Sequence, residues 1–179
     1  PSALLPQRRP APARPERMTE GRVTAIVAAA GRGTRFGAPE NKVFAPLLGM
    51  TVLERTLHTL SACPEIDAIV IVTGAEDLVR VRSLSLPFSR VHTVCLGGAE
   101  RYDSVCNALD AVPEDTGLVA VHDAARPLVS PRLVGEVIAA AREHGAALPA
   151  TPVADTVKRS PDGRFTRETV DRRPLFCVQ

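Results

Sequence analysis

The chain has 179 residues, 45% of them hydrophobic and 23% charged, which suits one globular domain and excludes a wholly disordered chain. It has no Trp, one Tyr and five Phe, so the core must be aliphatic and a base-stacking platform for single-stranded nucleic acid is not expected. The net charge of +2 comes from an Arg-rich start, and the rest of the chain is almost neutral, which argues against a nucleic-acid-binding surface.

Residues 1–21 contain five prolines and no apolar periodicity, and they are predicted to be a disordered leader. Two origins stay open for it: a transit peptide, or an over-extended reading frame whose native start is Met18. No apolar run reaches the roughly 18 residues that a membrane span needs. Four cysteines without a C-x-x-C pair predict free thiols, and therefore a cytoplasmic protein.

From residue 23 onward, short apolar runs alternate with segments of helical periodicity. This alternation predicts βαβ units and a mostly parallel sheet covered by helices on both faces. The predicted strands are residues 23–30, 68–73, 91–95, 117–121 and 146–150, and the predicted helices are residues 51–63, 75–83, 101–112 and 131–144. Residues 153–174 break the alternation, and the Pro161-Asp162-Gly163 sequence predicts a turn in an extended β-arm that leaves the body.

Ligands of open parallel sheets bind beyond the carboxyl ends of the strands. The first strand is followed by a glycine-rich stretch with Gly31, Gly33 and Gly37. Its spacing is one residue too long for a dinucleotide fingerprint, and no Gly-Lys-Ser/Thr follows as a Walker A loop requires. Its backbone N–H groups can still form an anion nest for a polyphosphate, with Arg35 and Lys42 as nearby cations. A tight turn with solvated charges is the alternative.

Two further segments follow predicted strands. Asp123, in His-Asp-Ala-Ala-Arg-Pro (122–127), can hold Mg²⁺ against phosphate oxygens, with Arg126 on a second phosphate; a helix cap is the alternative for Asp123, and a structural imidazole for His122. Gly97 and Gly98 begin a second glycine-rich turn that can meet a nucleobase or phosphate. A plain helix start is the alternative there.

Taken in order, these motifs resemble the 2-C-methyl-D-erythritol 4-phosphate cytidylyltransferase family of nonmevalonate isoprenoid biosynthesis. The matching segments are A-A-A-G-x-G-x-R (28–35), Lys42, G-G-x-E-R-x-x-S (97–104), H-D-A-A-R-P (122–127), P-V-x-D-T-V-K (152–158) and V-D-R (170–172). The resemblance implies a three-layer, Rossmann-like α/β fold of the nucleotide-diphospho-sugar-transferase type, in a nucleotidyltransferase domain over 22–179 that includes a dimerisation arm at about 153–174. It implies transfer of the cytidylyl group of CTP to methylerythritol phosphate with Mg²⁺, in a homodimer whose arms cross.

The resemblance also implies roles for individual residues. The cytidine and its phosphates would lie against Ala29, Ala30 and Gly31, and the cytosine would be framed by Gly98, Arg101 and Ser104. Arg35 and Lys42 would act on the transferring phosphate, and Asp123 would bind Mg²⁺. The methylerythritol phosphate would be held by Arg126, Thr156 and Arg172, the last two from the neighbouring subunit.

Departures from the family pattern keep alternatives open. The family usually has Pro at position 28 and often Asp at position 99, where this chain has Ala28 and Ala99. It also continues past the position of Gln179 with a strand, a helix, a metal-side acid and a substrate lysine. The missing end makes an inactive nucleotide-binding fragment one alternative function. The other is a ribitol-5-phosphate cytidylyltransferase, which shares the phosphate loop and the aspartate. A dinucleotide-dependent oxidoreductase is disfavoured by the loop spacing.

Overall fold

The computed structural model describes residues 21–31 and 41–178. Within them, the elements follow one another in the order β1 (Arg22–Ala28), β2 (Pro46–Leu47), β3 (Met50–Thr51), α1 (Val52–Ala62), β4 (Ala68–Thr73), α2 (Leu78–Ser85), β5 (Val91–Leu96), α3 (Arg101–Leu109), β6 (Thr116–Asp123), α4 (Pro131–His144), β7 (Ala150–Pro152), β8 (Lys158–Arg159), β9 (Glu168–Thr169) and β10 (Phe176–Val178). Short 3-10 turns lie at Lys42–Phe44 and Ala75–Asp77. No helix in this part of the chain has the length and apolar character needed to cross a bilayer.

The central sheet has the strand order β5-β4-β1-β6. All three of its strand pairings are parallel, and Ala28 at the end of β1 is in register with Asp123 at the end of β6. β4 is buried along its whole length because it is an internal strand made almost entirely of aliphatic residues. The predicted parallel sheet is confirmed.

Helices cover both faces of this sheet, as the sequence predicts. On one face, α1, α2 and α4 pack in a single aliphatic cluster with side chains such as Leu57, Val81 and Ile138. On the other face, α3 packs through Ala108 against Ile26 of β1 and two valines of β4. The result is the three-layer α/β architecture.

Local signals explain where two of the helices begin and end. Thr51 and Glu54 form a capping box at the start of α1, with the Thr51 amide 2.7 Å from the Glu54 carboxylate. Ser130 caps α4, Pro131 occupies its first turn, and Gly145 ends it with a φ of 88°. That backbone angle favours glycine, so α4 ends where the sequence predicts.

One predicted strand is wrong. Residues 146–150 were expected to rejoin the sheet, but residues 146–149 have no regular structure. The next strand, β7, instead pairs antiparallel with β10 in a separate two-stranded sheet. Pro149 has no N–H to donate to a ladder, which disfavours a strand of the central sheet at this point. Among the described residues, β6 therefore pairs only with β1.

The polar segment 153–174 forms the expected hairpin. β8 and β9 pair antiparallel, and Gly163, with a φ of 70°, lies in the connection between them. The Asp162 carboxylate accepts hydrogen bonds from the Arg164 and Phe165 amides, each at 3.0 Å. Together with the β7–β10 pair this hairpin makes one ribbon, residues 150–178, whose residues are mostly exposed.

Burial of the aliphatic cluster should dominate stability. We expect Leu57→Ala, at a fully buried position on α1, to lower the free energy of unfolding by about 2–5 kcal/mol. The matched control is Leu86→Ala, because Leu86 is 82% exposed and its truncation should change that free energy by less than about 0.5 kcal/mol. Urea denaturation followed by circular dichroism measures both, and equal losses would contradict the assignment of the core.

Candidate active site at the carboxyl ends of the strands

The segments that follow β1, β5 and β6 meet at one edge of the sheet. Backbone hydrogen bonds join them: the Ala29 amide donates to Val72 O at 2.8 Å, Gly97 to Thr73 O at 2.8 Å, and Ala124 to Ala28 O at 3.0 Å. Each bond links the residue just past one strand to the end of its neighbour. The three predicted motif segments are therefore brought together.

Gly97 lets the turn after β5 lie directly against the segment after β1. A Cβ atom at Gly97 would stand 2.7 Å from the Ser104 hydroxyl oxygen and 2.8 Å from the Ala30 Cβ. Ala29 is buried, Ala30 half-buried and Gly31 exposed, so the chain rises out of the core toward solvent here. The two glycine-rich segments thus share one side of the site.

Ser104 shapes the turn at residues 97–100 with its hydroxyl. This buried hydroxyl accepts a hydrogen bond from the Gly98 amide at 3.1 Å and donates to Glu100 O at 3.1 Å. Gly98 itself is exposed. The structure therefore gives the Ser104 side chain a positioning role beside the place predicted for the base.

Two arginines hold the carboxylate of Asp123. Arg101 Nη2 lies 2.8 Å from one carboxylate oxygen and Arg126 Nε 3.2 Å from the other. Burial raises the pKa of Asp123, but the hydrogen bond from Arg101 and the charges of Arg101 and Arg126 outweigh it, so the pKa lies below its usual range. Asp123 is therefore anionic at neutral pH, between two cations that can also meet phosphate groups.

His122 contacts the backbone of this network through its imidazole ring. Its Nε2 lies 3.1 Å from Arg126 O, and burial, outweighing the other influences, lowers the pKa of the imidazole. A neutral imidazole bound to a backbone carbonyl agrees with the structural alternative for this residue. Thr56 acts similarly from α1, since its hydroxyl donates to Ala124 O at 2.8 Å in a buried contact.

Lys42 is exposed between anchored neighbours. It begins the 3-10 turn Lys42–Phe44, in which Val43 and Phe44 are each 3% exposed. The preceding Asn41 donates from its side-chain amide to Ala29 O at 3.1 Å. Lys42 is thus tied to the segment after β1, while Arg35 lies outside the described residues.

Thr156 and Arg172 lie on the ribbon rather than at the sheet edge. Both are exposed, and the Arg172 guanidinium donates to Ala154 O within the ribbon. The contacts described above therefore join Ala29, Ala30, Gly98, Arg101, Ser104, Asp123 and Arg126, link Lys42 to them through Asn41, and leave Thr156 and Arg172 apart.

Sequence reasoning missed Asn41, Asp77 and Thr56. Asn41 and Asp77 are joined by a 2.9 Å hydrogen bond across 36 positions, which no local pattern reveals. A signal did exist for Thr56, because it is a hydroxyl residue on the apolar face of a predicted helix.

Comparison with known proteins identifies the family. A model of the IspD family, 2-C-methyl-D-erythritol 4-phosphate cytidylyltransferase, matches residues 23–179. The chain belongs to this family. The resemblance drawn from the motifs is confirmed, and so is the expected enzyme class, a nucleotidyltransferase whose reaction serves isoprenoid biosynthesis.

Curated relatives and solved structures of the family agree. The 2-C-methyl-D-erythritol 4-phosphate cytidylyltransferase of Symbiobacterium thermophilum is 45% identical over 158 residues, covering 88% of this chain and 66% of the relative. The enzyme of that name from Pelotomaculum thermopropionicum is 41% identical over 161 residues, covering 88% and 68%. The crystal structure of 4-diphosphocytidyl-2C-methyl-D-erythritol synthase from Anaerococcus prevotii superimposes with a TM-score of 0.77 at 30% identity, covering 89% and 68%. The chain therefore spans about two thirds of the length of these family members.

The neutral His122 predicts a pH dependence of folding. The unfolded chain takes up a proton at this imidazole near the ordinary value of 6.5, whereas the folded chain does so only at a lower pH. The unfolded state then binds more protons between those two values, so stability is full above pH 6.5 and falls as the pH drops below it. We expect His122→Gln to flatten this fall in urea denaturation at pH 7.5, 6.5 and 5.5.

The control is His144→Gln, at an exposed imidazole in the last turn of α4, which should retain the wild-type pH dependence. If the free energy of unfolding of His122→Gln fell with decreasing pH as steeply as that of the wild type, the protonation responsible would belong to another group.

Proposed function

We propose that this chain transfers the cytidylyl group of CTP to 2-C-methyl-D-erythritol 4-phosphate, releasing pyrophosphate. Family membership supports the reaction. The observation that carries the proposal for this chain is the Arg101–Asp123–Arg126 network, which lies at the same sheet edge as the exposed backbone at Gly31 and Gly98. Cations, one carboxylate and exposed glycine backbone at one edge suit a triphosphate substrate.

The reaction is an in-line displacement. A phosphate oxygen of methylerythritol phosphate attacks the α-phosphorus of CTP, and the bond from that phosphorus to the pyrophosphate oxygen breaks. Such a transfer depends on positioning and charge neutralisation and needs no covalent enzyme intermediate. In this proposal, Ala29, Ala30 and Gly31 bind the cytidine and its phosphates, and Arg35 and Lys42 stabilise the transferring phosphate.

In this proposal, the cytosine base and the acceptor, methylerythritol phosphate, bind to different sides of the site. The turn of Gly98, Arg101 and Ser104 frames the cytosine, and the Ser104 hydroxyl supports that role by fixing the turn. Arg126 binds the phosphate of methylerythritol phosphate from the end of β6. Its backbone is held by His122, which keeps its side chain near Asp123.

Asp123 suits a magnesium ion that takes most of its ligands from substrate phosphates and water. In the described residues no group of three or more His, Cys, Asp or Glu side chains could hold a metal ion, but Mg²⁺ commonly takes one or two carboxylates together with phosphate oxygens and water. The anionic carboxylate of Asp123, 38% exposed, supplies one such ligand. Mg²⁺ bound there would neutralise charge on the phosphate oxygens.

We further propose a cytoplasmic homodimer in which the ribbons of two chains cross. The exposed Thr156 and Arg172 then complete the acceptor site of the neighbouring subunit. Support comes from their place on an exposed ribbon, where the described contacts join neither of them to the sheet edge, and from four free cysteines, which suit a reducing compartment. The domain limits, a leader at 1–21 and a transferase domain over 22–179, remain predictions.

Lys42→Ala should lower kcat severely, roughly 100-fold or more, while the fold is retained, because a preorganised cation near the transition state is lost. Pyrophosphate release from Mg·CTP and methylerythritol 4-phosphate measures it. Arg142→Ala is the matched control, since it removes an exposed cation from the last turn of α4. Wild-type turnover in Lys42→Ala would remove Lys42 from the mechanism.

The same assay with ribitol 5-phosphate separates the two acceptors. We expect release with methylerythritol 4-phosphate alone; release with ribitol 5-phosphate alone would favour the alternative transferase. CTP binding without release from either acceptor would favour the inactive nucleotide-binding fragment, and the assay on a chain extended past Gln179 would then test whether further residues restore turnover.

Sharing of sites between subunits predicts complementation. Lys42→Ala and Arg172→Ala should each be nearly inactive alone, yet mixed and reassociated chains should recover roughly a quarter of wild-type activity. Half of the dimers would be mixed, and each mixed dimer would contain one intact site. No recovery, with mixed dimers demonstrated by a size tag, would place Arg172 in the site of its own chain.

A further inference from the structure

The side chain of Asn41 joins three parts of the molecule. Its Nδ2 donates to Ala29 O at 3.1 Å and to Asp77 Oδ2 at 2.9 Å, and its Oδ1 accepts from the Val43 amide at 3.3 Å. Ala29 follows β1, Asp77 ends the turn after β4, and Val43 belongs to the turn that contains Lys42. One planar amide thus uses both of its N–H hydrogens and its oxygen.

These contacts fix the backbone on the amino-terminal side of Lys42. On the other side, Val43 and Phe44 are buried, and the Arg80 guanidinium lies 3.9 Å from the centre of the Phe44 ring. Lys42 is therefore an exposed side chain on a backbone anchored from both directions. The anchor on the Asn41 side leads directly to Ala29, which the proposed function places against CTP.

We propose that Asn41 is a positioning residue that sets the distance between Lys42 and the backbone amides after β1. This inference rests on the proposed function, in which both contact CTP. Asn suits the position because an amide offers two donors and an acceptor, whereas a carboxylate would place its negative charge against Asp77 Oδ2 and Ala29 O. Asn41 does not itself need to touch substrate.

The contacts predict an ordered series of variants. Asn41→Asp should lose roughly 10- to 100-fold in kcat/KM for CTP, because small displacements of a catalytic group have effects of that size. Asp77→Asn keeps an acceptor oxygen for Asn41 and should stay within about threefold of wild type. Combining the two should recover part of the loss, because the amide now on residue 77 can donate to the new carboxylate at 41.

The matched control is Asn107→Asp. Asn107 is exposed and donates to one carbonyl, Leu96 O, at 3.1 Å, so the same change there should alter kcat/KM by less than about twofold. Melting temperatures are measured for every variant, because a merely structural effect of Asn41 would lower the melting temperature in parallel with kcat/KM. If Asn41→Asp does not fold, Asp77→Ala, which removes one acceptor only, takes its place with an expected smaller loss.

The outcomes separate the two proposals. A loss of kcat/KM in Asn41→Asp that is partly recovered in the double variant supports the positioning role. A kcat/KM of Asn41→Asp within threefold of wild type, or a double variant no better than the single one, overturns that role and leaves the proposed function intact. A wild-type chain that neither binds CTP nor releases pyrophosphate overturns the proposed function, and this inference with it.

Discussion

The backbone hydrogen bonds between neighbouring strand ends are the constraint on which the site depends. They run from Ala29 to Val72, from Gly97 to Thr73 and from Ala124 to Ala28, so each motif segment is fixed to a strand that is itself buried. Parallel strands bring their carboxyl ends to one edge, and the helices on both faces keep solvent away from the ladders beneath. The exposed chemistry is therefore carried on rigid supports.

The same arrangement of strand ends brings two arginines to the carboxylate of Asp123. Arg101 comes from the start of α3 and Arg126 from the segment after β6, yet both reach the same carboxylate. The pairs are partly exposed, and such ion pairs contribute little net stability. In the proposed reaction, both arginines therefore leave the carboxylate for substrate at small cost, which frees Asp123 to face a cation.

Much of the fold could be predicted because its signals are local. The aliphatic, β-branched run of β4 and the Ser130–Pro131 start and Gly145 end of α4 mark these elements within a few residues. The prediction for residues 146–150 was wrong because a short apolar run does not indicate which strand it will pair with. Pairing with β10 depends on a segment some 25 positions later.

The site was predictable to the extent that its residues lie in motifs. Lys42 and Asp123 could be singled out by their place after strands, but the contact of Asn41 with Asp77 joins residues 36 positions apart and exists only in the folded chain. The hydroxyl of Ser104 shows a related limit. Its position was expected from the motif, whereas its bonds to Gly98 and Glu100 are visible only in three dimensions.

The ribbon has a consequence of its own. One ladder pairs β7 with β10 and the other pairs β8 with β9, and Thr156 and Arg172 both lie in the interval between them. This interval is crossed by the backbone bonds from Val153 to Leu175 O at 3.1 Å and from Val170 to Val157 O at 2.9 Å, and by the bond from Arg172 to Ala154 O. Residues 154–156 and 171–174 have no regular strand structure, so a change of backbone direction there would redirect both side chains without breaking either ladder.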